Sequence, residues 1–333
     1  MKIIEDKSFK DLTTFRIGGN IKYYVEVKDE DEIFEVLDFA ESKNLPIFII
    51  GGGSDFLAGE KVFEGLVIKY TGSDYSISDD IITGGGGMVW DDLVKIAVEN
   101  EFAGIECLSG IPGTVGASPI QNIGAYGQEM KDTFLKLEAI DIEERKRVKF
   151  SLNDCKFGYR ESIFKDKKYW QKYLILSVSF KLKKGGNPGV TYESLKGAIG
   201  ENPTLLEVRE AVLKVRAQKL EDPKEFGNAG SFFKNPIVDA AKKKDLESHF
   251  PDVKIFPSGN LYKVSAAWLI DKTGLKGKEV GGAVVSTKHA LILINKSGSA
   301  TADDVFSLSD MVINEVFNKF GVRLEREVQL INF

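Results

Sequence analysis

The stretch from Leu108 to Gly127 constrains the fold of this chain more than any other segment. It reads LSGIPGTVGASPIQNIGAYG, rich in glycine and isoleucine and almost free of charge. Small residues that alternate with apolar ones indicate a backbone that turns sharply against a packed surface, whereas a flexible linker would be polar. Within the stretch, Gly110 to Gly116 places bare N–H groups along a tight loop, an arrangement that binds phosphate. A buried turn between two elements is an equally good interpretation of glycine spacing alone.

A second glycine-rich loop follows a strand–helix–strand pattern. Residues 21–27 and 47–50 are predicted strands, and the capping-box sequence Asp29-x-x-Glu32 begins the helix between them. The second strand continues into Gly51-Gly-Gly-Ser-Asp55, a natural place for a phosphate. The chain has no G-x-x-x-x-G-K-[ST] motif, and this loop lacks the third glycine of G-x-G-x-x-G. The loops at 51–54 and 110–116 can together bind one pyrophosphate from both sides. A further glycine run at 84–87 we interpret as a close-packing turn.

Composition narrows the class of protein. A chain of 333 residues with 43% hydrophobic content can bury an ample core and is expected to form two or three domains. A net charge of −5 argues against a nucleic-acid partner. Cys107 and Cys155 are typical of reduced cytosolic thiols, and with only two histidines no metal site is expected. The N-terminus lacks the apolar core of a signal peptide and no run approaches a membrane span, so we expect a cytoplasmic protein without a membrane partner.

Periodicity predicts further elements along the chain. A hairpin is predicted at residues 132–150, and alternating apolar residues predict a half-buried strand at 173–183. A short helix is expected to end at Gly274 and an amphipathic helix over 301–320 at Gly321, because glycine favours the left-handed conformation that ends helices.

Two motifs carry side chains suited to chemistry. Arg160 lies in the apolar frame of FGYRES, and a buried guanidinium needs an anionic partner. From the residues alone, an ion pair with Glu161 is the simpler interpretation. Ser231, in GNAGSFFKNP, follows Gly230 and can approach a ligand without steric hindrance. No G-x-S-x-G elbow exists and neither histidine lies in a hydrolase motif, so a serine hydrolase is poorly supported.

Four further positions have an ordinary structural interpretation beside a functional one. Arg216 and Lys219 end a helix that begins at the capping box of Thr204, and cations suit the negative end of a helix. Tyr192 lies in a predicted loop. Glu327 lies on a terminal strand, where a solvated charge is common.

Taken together, GGGSD, the 108–127 stretch, FGYRES and NAGSFFKNP resemble the UDP-N-acetylenolpyruvoylglucosamine reductase family, in its longer variety with a tyrosine-bearing substrate loop. The resemblance runs from about Thr13 to Val328. It implies an α+β chain with the two-subdomain FAD-binding fold of the vanillyl-alcohol-oxidase/p-cresol-methylhydroxylase type and a C-terminal α/β substrate domain. We expect FAD-binding subdomains at 1–70 and 71–218 and a substrate-binding domain at 219–333, with the last strand packing back on an earlier domain.

The resemblance also implies an activity. It is the NADPH-dependent, FAD-mediated reduction of UDP-N-acetylglucosamine enolpyruvate to UDP-N-acetylmuramate, a cytoplasmic step of peptidoglycan precursor synthesis. Non-covalent FAD is expected, because no histidine precedes His249 to tether it at the first glycine loop. The partners are then the UDP-sugar enolpyruvyl ether and NADPH, and the protein is expected to be a monomer.

The site residues follow from the same resemblance. Arg160 is expected to steady the substrate carboxylate, Ser231 to protonate the reduced substrate, and Glu327 to hold the developing enol-type carboxyl. The implied substrate-binding residues are Tyr126, Tyr192, Arg216, Lys219 and Asn235. The implied cofactor-binding residues are Gly51, Gly52, Gly53, Ser54, Ser109, Gly110, Ile111, Pro112, Gly113, Thr114, Gly116, Ala117, Ser118 and Gly124.

The chain departs from the family pattern at three places. Asp55 replaces an asparagine and is expected to face away from the pyrophosphate. Arg326 replaces a proline, which is expected to loosen the backbone before Glu327 and add a cation nearby. The loop reads Tyr192-Glu-Ser-Leu in place of Tyr-Gly-Asp-Leu. Two alternatives therefore stay open: another flavin oxidoreductase of this fold that acts on a sugar or hydroxy acid, and a non-catalytic sugar-nucleotide binding relative.

Overall fold

The computed structural model describes residues 2–190, 195, 197 and 199–333. The α-helices in this part are α1 Phe9–Leu12, α2 Glu30–Ser42, α3 Trp90–Glu99, α4 Leu152–Cys155, α5 Leu205–Lys219, α6 Ala240–His249, α7 Ala266–Thr273 and α8 Ala302–Phe320. The strands are β1 Ile3–Ser8, β2 Asn20–Val27, β3 Ile47–Ile50, β4 Phe56–Ala58, β5 Phe63–Tyr70, β6 Tyr75–Ser78, β7 Ile81–Gly85, β8 Phe102–Ala103, β9 Gly124–Ala125, β10 Gln128–Glu129, β11 Phe134–Asp141, β12 Lys146–Ser151, β13 Tyr173–Lys181, β14 Lys183–Lys184, β15 Gly227–Ser231, β16 Ile237–Val238, β17 Ile255–Ser258, β18 Leu261–Val264, β19 Glu279–Val280, β20 Ala283–Val285, β21 Ile292–Asn295 and β22 Gln329–Ile331. This mixture of helix and strand confirms the predicted α+β class. None of these helices is both long and apolar enough to cross a membrane.

The chain divides into two compact units. The first comprises residues up to Lys7, Ile21–Gly53 and Phe63–Gln218, and the second comprises Ser8–Asn20, Ser54–Val62 and Lys219–Phe333. The sequence did not indicate that two N-terminal segments belong with the C-terminal part. The assignment of roles to residues 1–70, 71–218 and 219–333 stays a prediction.

The first unit begins with a four-stranded sheet in the order β1-β2-β5-β3, in which β2 and β3 both run parallel to β5. Helix α2 packs its apolar face against this sheet, and Ile33, Val36 and Leu37 are buried in the core that the helix and the sheet form together. The predicted N-cap begins the helix, because the Asp29 carboxylate accepts a hydrogen bond from the backbone N–H of Glu32 at 3.0 Å. The reciprocal bond of a capping box is replaced, since the Glu32 carboxylate accepts from the N–H of Lys28 at 2.7 Å.

A five-stranded antiparallel sheet follows, in the order β12-β11-β13-β7-β6. Its β11–β12 pair is the predicted hairpin. Strand β13, however, is buried on both faces, since Leu174 and Leu176 join the core of α2 while Val178 and Phe180 join the core of α3. The expectation of a half-buried strand was wrong because β13 is the central strand of this sheet and cores form on both of its sides.

The second unit contains a four-stranded sheet in the order β15-β21-β20-β19 and a three-stranded sheet in the order β16-β18-β17. Helices α7 and α8 end at Gly274 and Gly321, with φ of 77° and 62°, which confirms both predicted helix ends. Strand β22 pairs in parallel with β4. Phe15 and Leu57 are buried in the same core as Phe232, which explains why the two N-terminal segments belong to this unit.

Candidate active site

The two glycine loops of the first unit lie backbone against backbone. A Cβ atom on Gly52 would come within 2.7 Å of the Gly113 Cα, and one on Gly51 within 3.0 Å of the Thr114 Oγ1. The run at 84–87 is the close-packing turn that its sequence predicted, since a Cβ on Gly86 would lie 2.0 Å from the carbonyl oxygen of Ile175. Residues 51–53 and 110–116 are thus brought together across about sixty residues of chain by packing that only glycine permits.

Three backbone N–H groups at this junction are available to a ligand. Those of Gly52, Gly113 and Thr114 donate to no acceptor in the described part of the chain. The neighbouring donors are used within the protein, since Gly110 donates to Asp91 and Gly116 to the carbonyl oxygen of Gly86. A set of uncommitted N–H groups on tight glycine turns is the donor set that a phosphate or pyrophosphate requires.

An ion pair that the sequence did not indicate holds one of these loops. The Asp91 carboxylate, in the first turn of α3, accepts from the Gly110 N–H at 2.6 Å and from two guanidinium nitrogens of Arg209 at 2.6 and 2.8 Å. Burial alone would raise the pKa of Asp91, but the hydrogen bonds from Arg209 and Gly110 lower it below its ordinary value. The one available signal was an arginine adjacent to Val208 on the apolar stripe of a helix, because a buried guanidinium needs an anionic partner.

Arg216 lies against the same loop without such a partner. Its Nε is 3.2 Å from the position of a Cβ on Gly110, and it has no hydrogen bond or ion pair to any described residue. Burial lowers the pKa of Arg216, although Tyr126 and Asp91 act in the opposite direction. A partly buried cation that forms no ion pair with any described residue indicates an anionic ligand at this position.

The segment that carries Arg160 is tied to the second half of the 108–127 stretch. Arg160 Nη2 donates to the carbonyl oxygen of Gly124 at 2.6 Å, and its backbone adopts φ of 55°. Two more hydrogen bonds join the segments, from Ser162 Oγ to Ile120 O at 2.5 Å and from Asn122 Nδ2 to Gly158 O at 2.9 Å. The guanidinium is therefore held by the loop itself, and the Glu161 backbone pairs with Gly158.

In the second unit, backbone pairing joins the segments of Ser231 and Glu327. The Glu327 N–H donates to Phe232 O and the Lys234 N–H to Glu325 O, both at 2.9 Å, so the two segments run antiparallel. Phe232 and Phe233 are 0% and 1% exposed and anchor this ladder in the core, whereas Ser231 and Glu327 are both partly exposed. Gly230, at φ of 72°, leads into Ser231, and apart from its chain neighbours no atom of residues 2–190 or 199–333 lies within 4 Å of the place that a Cβ would occupy there.

The remaining candidates fall into different places. Asn235 Oδ1 accepts from the Ala266 N–H at 2.8 Å, the first N–H of helix α7, whose N-cap is Ser265. Lys219 is exposed at the end of α5. Tyr192 lies outside the described residues. The buried hydroxyls of Ser109 and Ser118 donate to backbone carbonyls of their own turns, at 2.6 and 2.7 Å. Ala117 packs against Gly51. In the second loop Ile111 is partly buried and Pro112 is exposed, and in the first loop Gly53 and Ser54 follow Gly52.

The two charged departures from the family pattern have partners in the second unit. Asp55 Oδ2 lies 3.5 Å from Gln329 Nε2. Arg326 Nε donates to Ser309 Oγ at 2.8 Å, and its Nη2 pairs with Asp310. The ladder around position 326 uses the N–H of Glu327 and the carbonyl of Glu325, so it does not depend on the N–H of Arg326.

The fold and the glycine cradle define an FAD-binding flavoprotein. A family model described as an FAD binding domain matches residues 21–149. Among solved structures, 6-hydroxy-D-nicotine oxidase from Arthrobacter nicotinovorans shares the fold, with a TM-score of 0.53 at 13% identity over 97% of this chain and 86% of that one. The uncommitted N–H groups at the two loops fit the pyrophosphate of FAD.

More specific similarities identify the family. A model described as the C-terminal domain of UDP-N-acetylenolpyruvoylglucosamine reductase matches residues 222–331. The reductase of Flavobacterium johnsoniae is 40% identical over 99% of this chain and 100% of its own length, and that of Escherichia coli K12 is 39% identical over 97% and 95%. The reductase structure from Thermus caldophilus has a TM-score of 0.70 at 24% identity, covering 99% of this chain and 98% of that one. The chain belongs to the UDP-N-acetylenolpyruvoylglucosamine reductase family, which confirms the resemblance, and it is an FAD-dependent oxidoreductase.

Proposed function

We propose that this protein reduces UDP-N-acetylglucosamine enolpyruvate to UDP-N-acetylmuramate with NADPH, in the synthesis of peptidoglycan precursors. The observation that carries the proposal is the antiparallel pairing of residues 232–234 with 325–327. This pairing brings a hydroxyl and a carboxyl, Ser231 and Glu327, from segments almost a hundred residues apart onto one ladder. Family membership supports the reaction class, and Arg216, which pairs with none of the residues that the structure describes, supports an anionic substrate.

The chemistry requires a cation at the substrate carboxylate. FAD, when bound, takes a hydride from NADPH and supplies it from N5 to C3 of the enolpyruvyl group. The negative charge that then develops at C2 delocalises into the conjugated carboxylate. Arg160 stabilises this charge electrostatically, and its hydrogen bond to Gly124 O at 2.6 Å holds the guanidinium in place before the reaction.

A carboxyl and an alcohol complete the reduction. Glu327, when protonated, donates a hydrogen bond to the enol-type carboxyl. Ser231 delivers a proton to C2 as general acid, which is feasible for an alcohol because the carbanion-like acceptor is strongly basic. The segments of both residues are anchored by Phe232 and Phe233 in the core, so their backbones are preorganised.

Phosphate recognition is assigned to basic residues. Arg216 and Lys219 bind the substrate diphosphate, with Tyr126 beside Arg216. Asn235, which follows NAGSFFK, is a further substrate-binding residue. NADPH and the sugar nucleotide use the same cavity in turn, so ping-pong kinetics are expected. A ternary complex with both ligands bound would contradict this arrangement.

The proposal is tested first by spectroscopy. Purified protein is expected to show a flavin absorption spectrum that bleaches on anaerobic addition of NADPH and recovers when the enolpyruvyl substrate is added. A non-catalytic relative would not bleach, and an oxidase of sugars or hydroxy acids would be reduced by those compounds and would not recover with the UDP-sugar.

The role of Ser231 is tested by separating the half-reactions in a stopped-flow instrument. The Ser231→Ala variant is expected to be reduced by NADPH at the wild-type rate, while transfer to the substrate slows by orders of magnitude. Equal loss in both half-reactions would show that Ser231 positions the flavin rather than protonating the substrate.

A further inference from the structure

The turn that carries Arg160 is strained. In residues 158–161 the Gly158 N–H donates to Glu161 O at 2.9 Å, and the Glu161 N–H donates back to Gly158 O at 3.4 Å. Arg160 lies inside this turn at φ of 55°, in the left-handed region that non-glycine residues rarely adopt. Such a conformation costs free energy and persists only where the surrounding structure holds it. The return bond, at 3.4 Å, is longer than an ordinary N–H···O bond, so it holds the turn only weakly.

Asn122 supplies a shorter bond to this turn. Its Nδ2 donates to Gly158 O at 2.9 Å, the same oxygen that accepts the weak return bond. The carboxamide is also fixed on its other sides, since Nδ2 donates to Glu129 Oε2 and Oδ1 accepts from the Lys131 N–H, both at 3.0 Å. The preceding side chain behaves differently, because the Gln121 carboxamide has no hydrogen-bond partner in the described part of the chain. The loop thus places one fully bonded carboxamide against the Arg160 turn.

Asn122 is itself held firmly. It is 0% exposed, and its φ of 44° is one that asparagine tolerates better than most residues. Its partner Glu129 is fixed in turn, because the Glu129 carboxylate pairs with Lys131 Nζ at 2.7 Å and takes part in a capping box with Asp132. Rotation of the Asn122 side chain would therefore break several hydrogen bonds at once, which makes this residue a rigid anchor.

The anchor acts on the backbone that carries the guanidinium. Gly158 precedes Arg160 by two residues, and Ser162 follows it by two and donates from Oγ to Ile120 O at 2.5 Å. The guanidinium itself donates from Nη2 to Gly124 O at 2.6 Å. The turn is thus bound to one loop on both sides of Arg160, and release of the Gly158 side would let the strained φ relax. A catalytic group that is displaced by about 1 Å loses much of its effect on the reaction.

We propose that Asn122 is a positioning residue for Arg160 and acts on it through Gly158. The inference rests on the proposed role of Arg160 at the substrate carboxylate. Reduction of the flavin by NADPH does not involve that carboxylate, so loss of Asn122 affects only the second half-reaction, in which hydride passes to the substrate. A residue that merely supports the fold would disturb both half-reactions.

The test replaces Asn122 with glycine, which keeps the positive φ and removes the hydrogen bonds. In stopped-flow experiments on the holoenzyme, Asn122→Gly is expected to be reduced by NADPH at the wild-type rate. Its hydride transfer to saturating enolpyruvyl substrate is expected to be about 10- to 100-fold slower. Asn44→Gly is the matched control and is expected to behave as wild type in both half-reactions. Asn44 also has a positive φ, of 50°, but it is exposed and its side chain bonds to no described residue.

A double-mutant cycle with Arg160→Lys identifies the residue through which Asn122 acts. In that background Asn122→Gly is expected to slow hydride transfer less than about 2-fold further, because the guanidinium that it positions is gone. If the glycine variant does not fold, Asn122→Asp gives the same comparison, since it keeps the acceptor for the Lys131 N–H but cannot donate to Gly158 O.

Three outcomes would overturn the positioning role. They are hydride transfer at the wild-type rate in the Asn122 variant, equal slowing of both of its half-reactions, and losses that multiply in the double mutant. The proposed function fails on different observations. These are a wild-type protein whose reduced flavin is not reoxidised by the enolpyruvyl substrate, or an Arg160→Lys variant that transfers hydride at the wild-type rate.

Discussion

Gly52→Ala tests whether the contact between the two glycine loops forms the cofactor cradle. The new Cβ would lie 2.7 Å from the Gly113 Cα and 3.2 Å from its carbonyl carbon. Carbon atoms pack at ~3.5–4.0 Å, so the two loops must separate by about 1 Å. Gly52 does not occupy the left-handed region, so alanine brings no backbone strain and the steric contact is the only perturbation.

The expected effect has two parts. Overpacking lowers the free energy of unfolding by about 1–3 kcal/mol. Displacement of the N–H donors of Gly52 and Gly113 raises the Kd for FAD by about 10-fold or more, which corresponds to ~1.4 kcal/mol per factor of ten. Thermal unfolding of the apoprotein measures the first part, and quenching of flavin fluorescence on titration measures the second.

The matched control is Gly200→Ala, because no described residue beyond its chain neighbours lies within 4 Å of a Cβ at that position and its φ is also not left-handed. This variant is expected to match wild type in both assays. If Gly52→Ala loses stability but binds FAD with wild-type affinity, the loops pack closely for stability alone and the pyrophosphate is bound elsewhere.

Three further predictions follow from individual contacts. Asp91→Asn is expected to lower the free energy of unfolding by about 3 kcal/mol at pH 7, because the buried Arg209 loses its counter-ion. The pKa of Asp91 is lowered in the folded state, so its carboxylate adds to the free energy of unfolding above the ordinary pKa of 3.8, and this stabilisation is lost as the pH falls below that value. Denaturant titrations should therefore give the variant and the wild type the same stability in acid. Arg326→Gln is expected to lower the free energy of unfolding by about 1 kcal/mol, because its ion-pair partner Asp310 is partly exposed. NADPH should still reduce the flavin at the wild-type rate, and a slower first half-reaction would contradict this. Arg323→Gln, at an exposed position, is the control. Burial raises the pKa of Cys107 and of Cys155 to about 12, so neither thiol should react with iodoacetamide in the native protein at pH 8, and rapid alkylation would show that these sites open.

Sequence reasoning succeeded where neighbouring residues decide the structure. The N-cap at Asp29 and the glycine ends of α7 and α8 depend on contacts within one or two turns, so the pattern alone predicts them. The motif NAGSFFKNP likewise indicated the family, because its residues are consecutive. The interpretation of 84–87 as a packing turn was also confirmed, although the backbone that it packs against includes the distant Ile175.

The sequence by itself thus determined the local elements, the glycine loops and the family of this flavoprotein. Only the tertiary structure decided that residues 8–20 and 54–62 join the second unit, that Asp91 and Arg209 hold the Gly110 loop, and that Gln121 is left without a partner among the described residues. Each of these three features depends on which distant segments come into contact. The first depends on strand pairing, the second on the burial of a charge, and the third on the lack of a nearby hydrogen-bonding group. Such outcomes are set by long-range packing, and no local pattern of residue types encodes them.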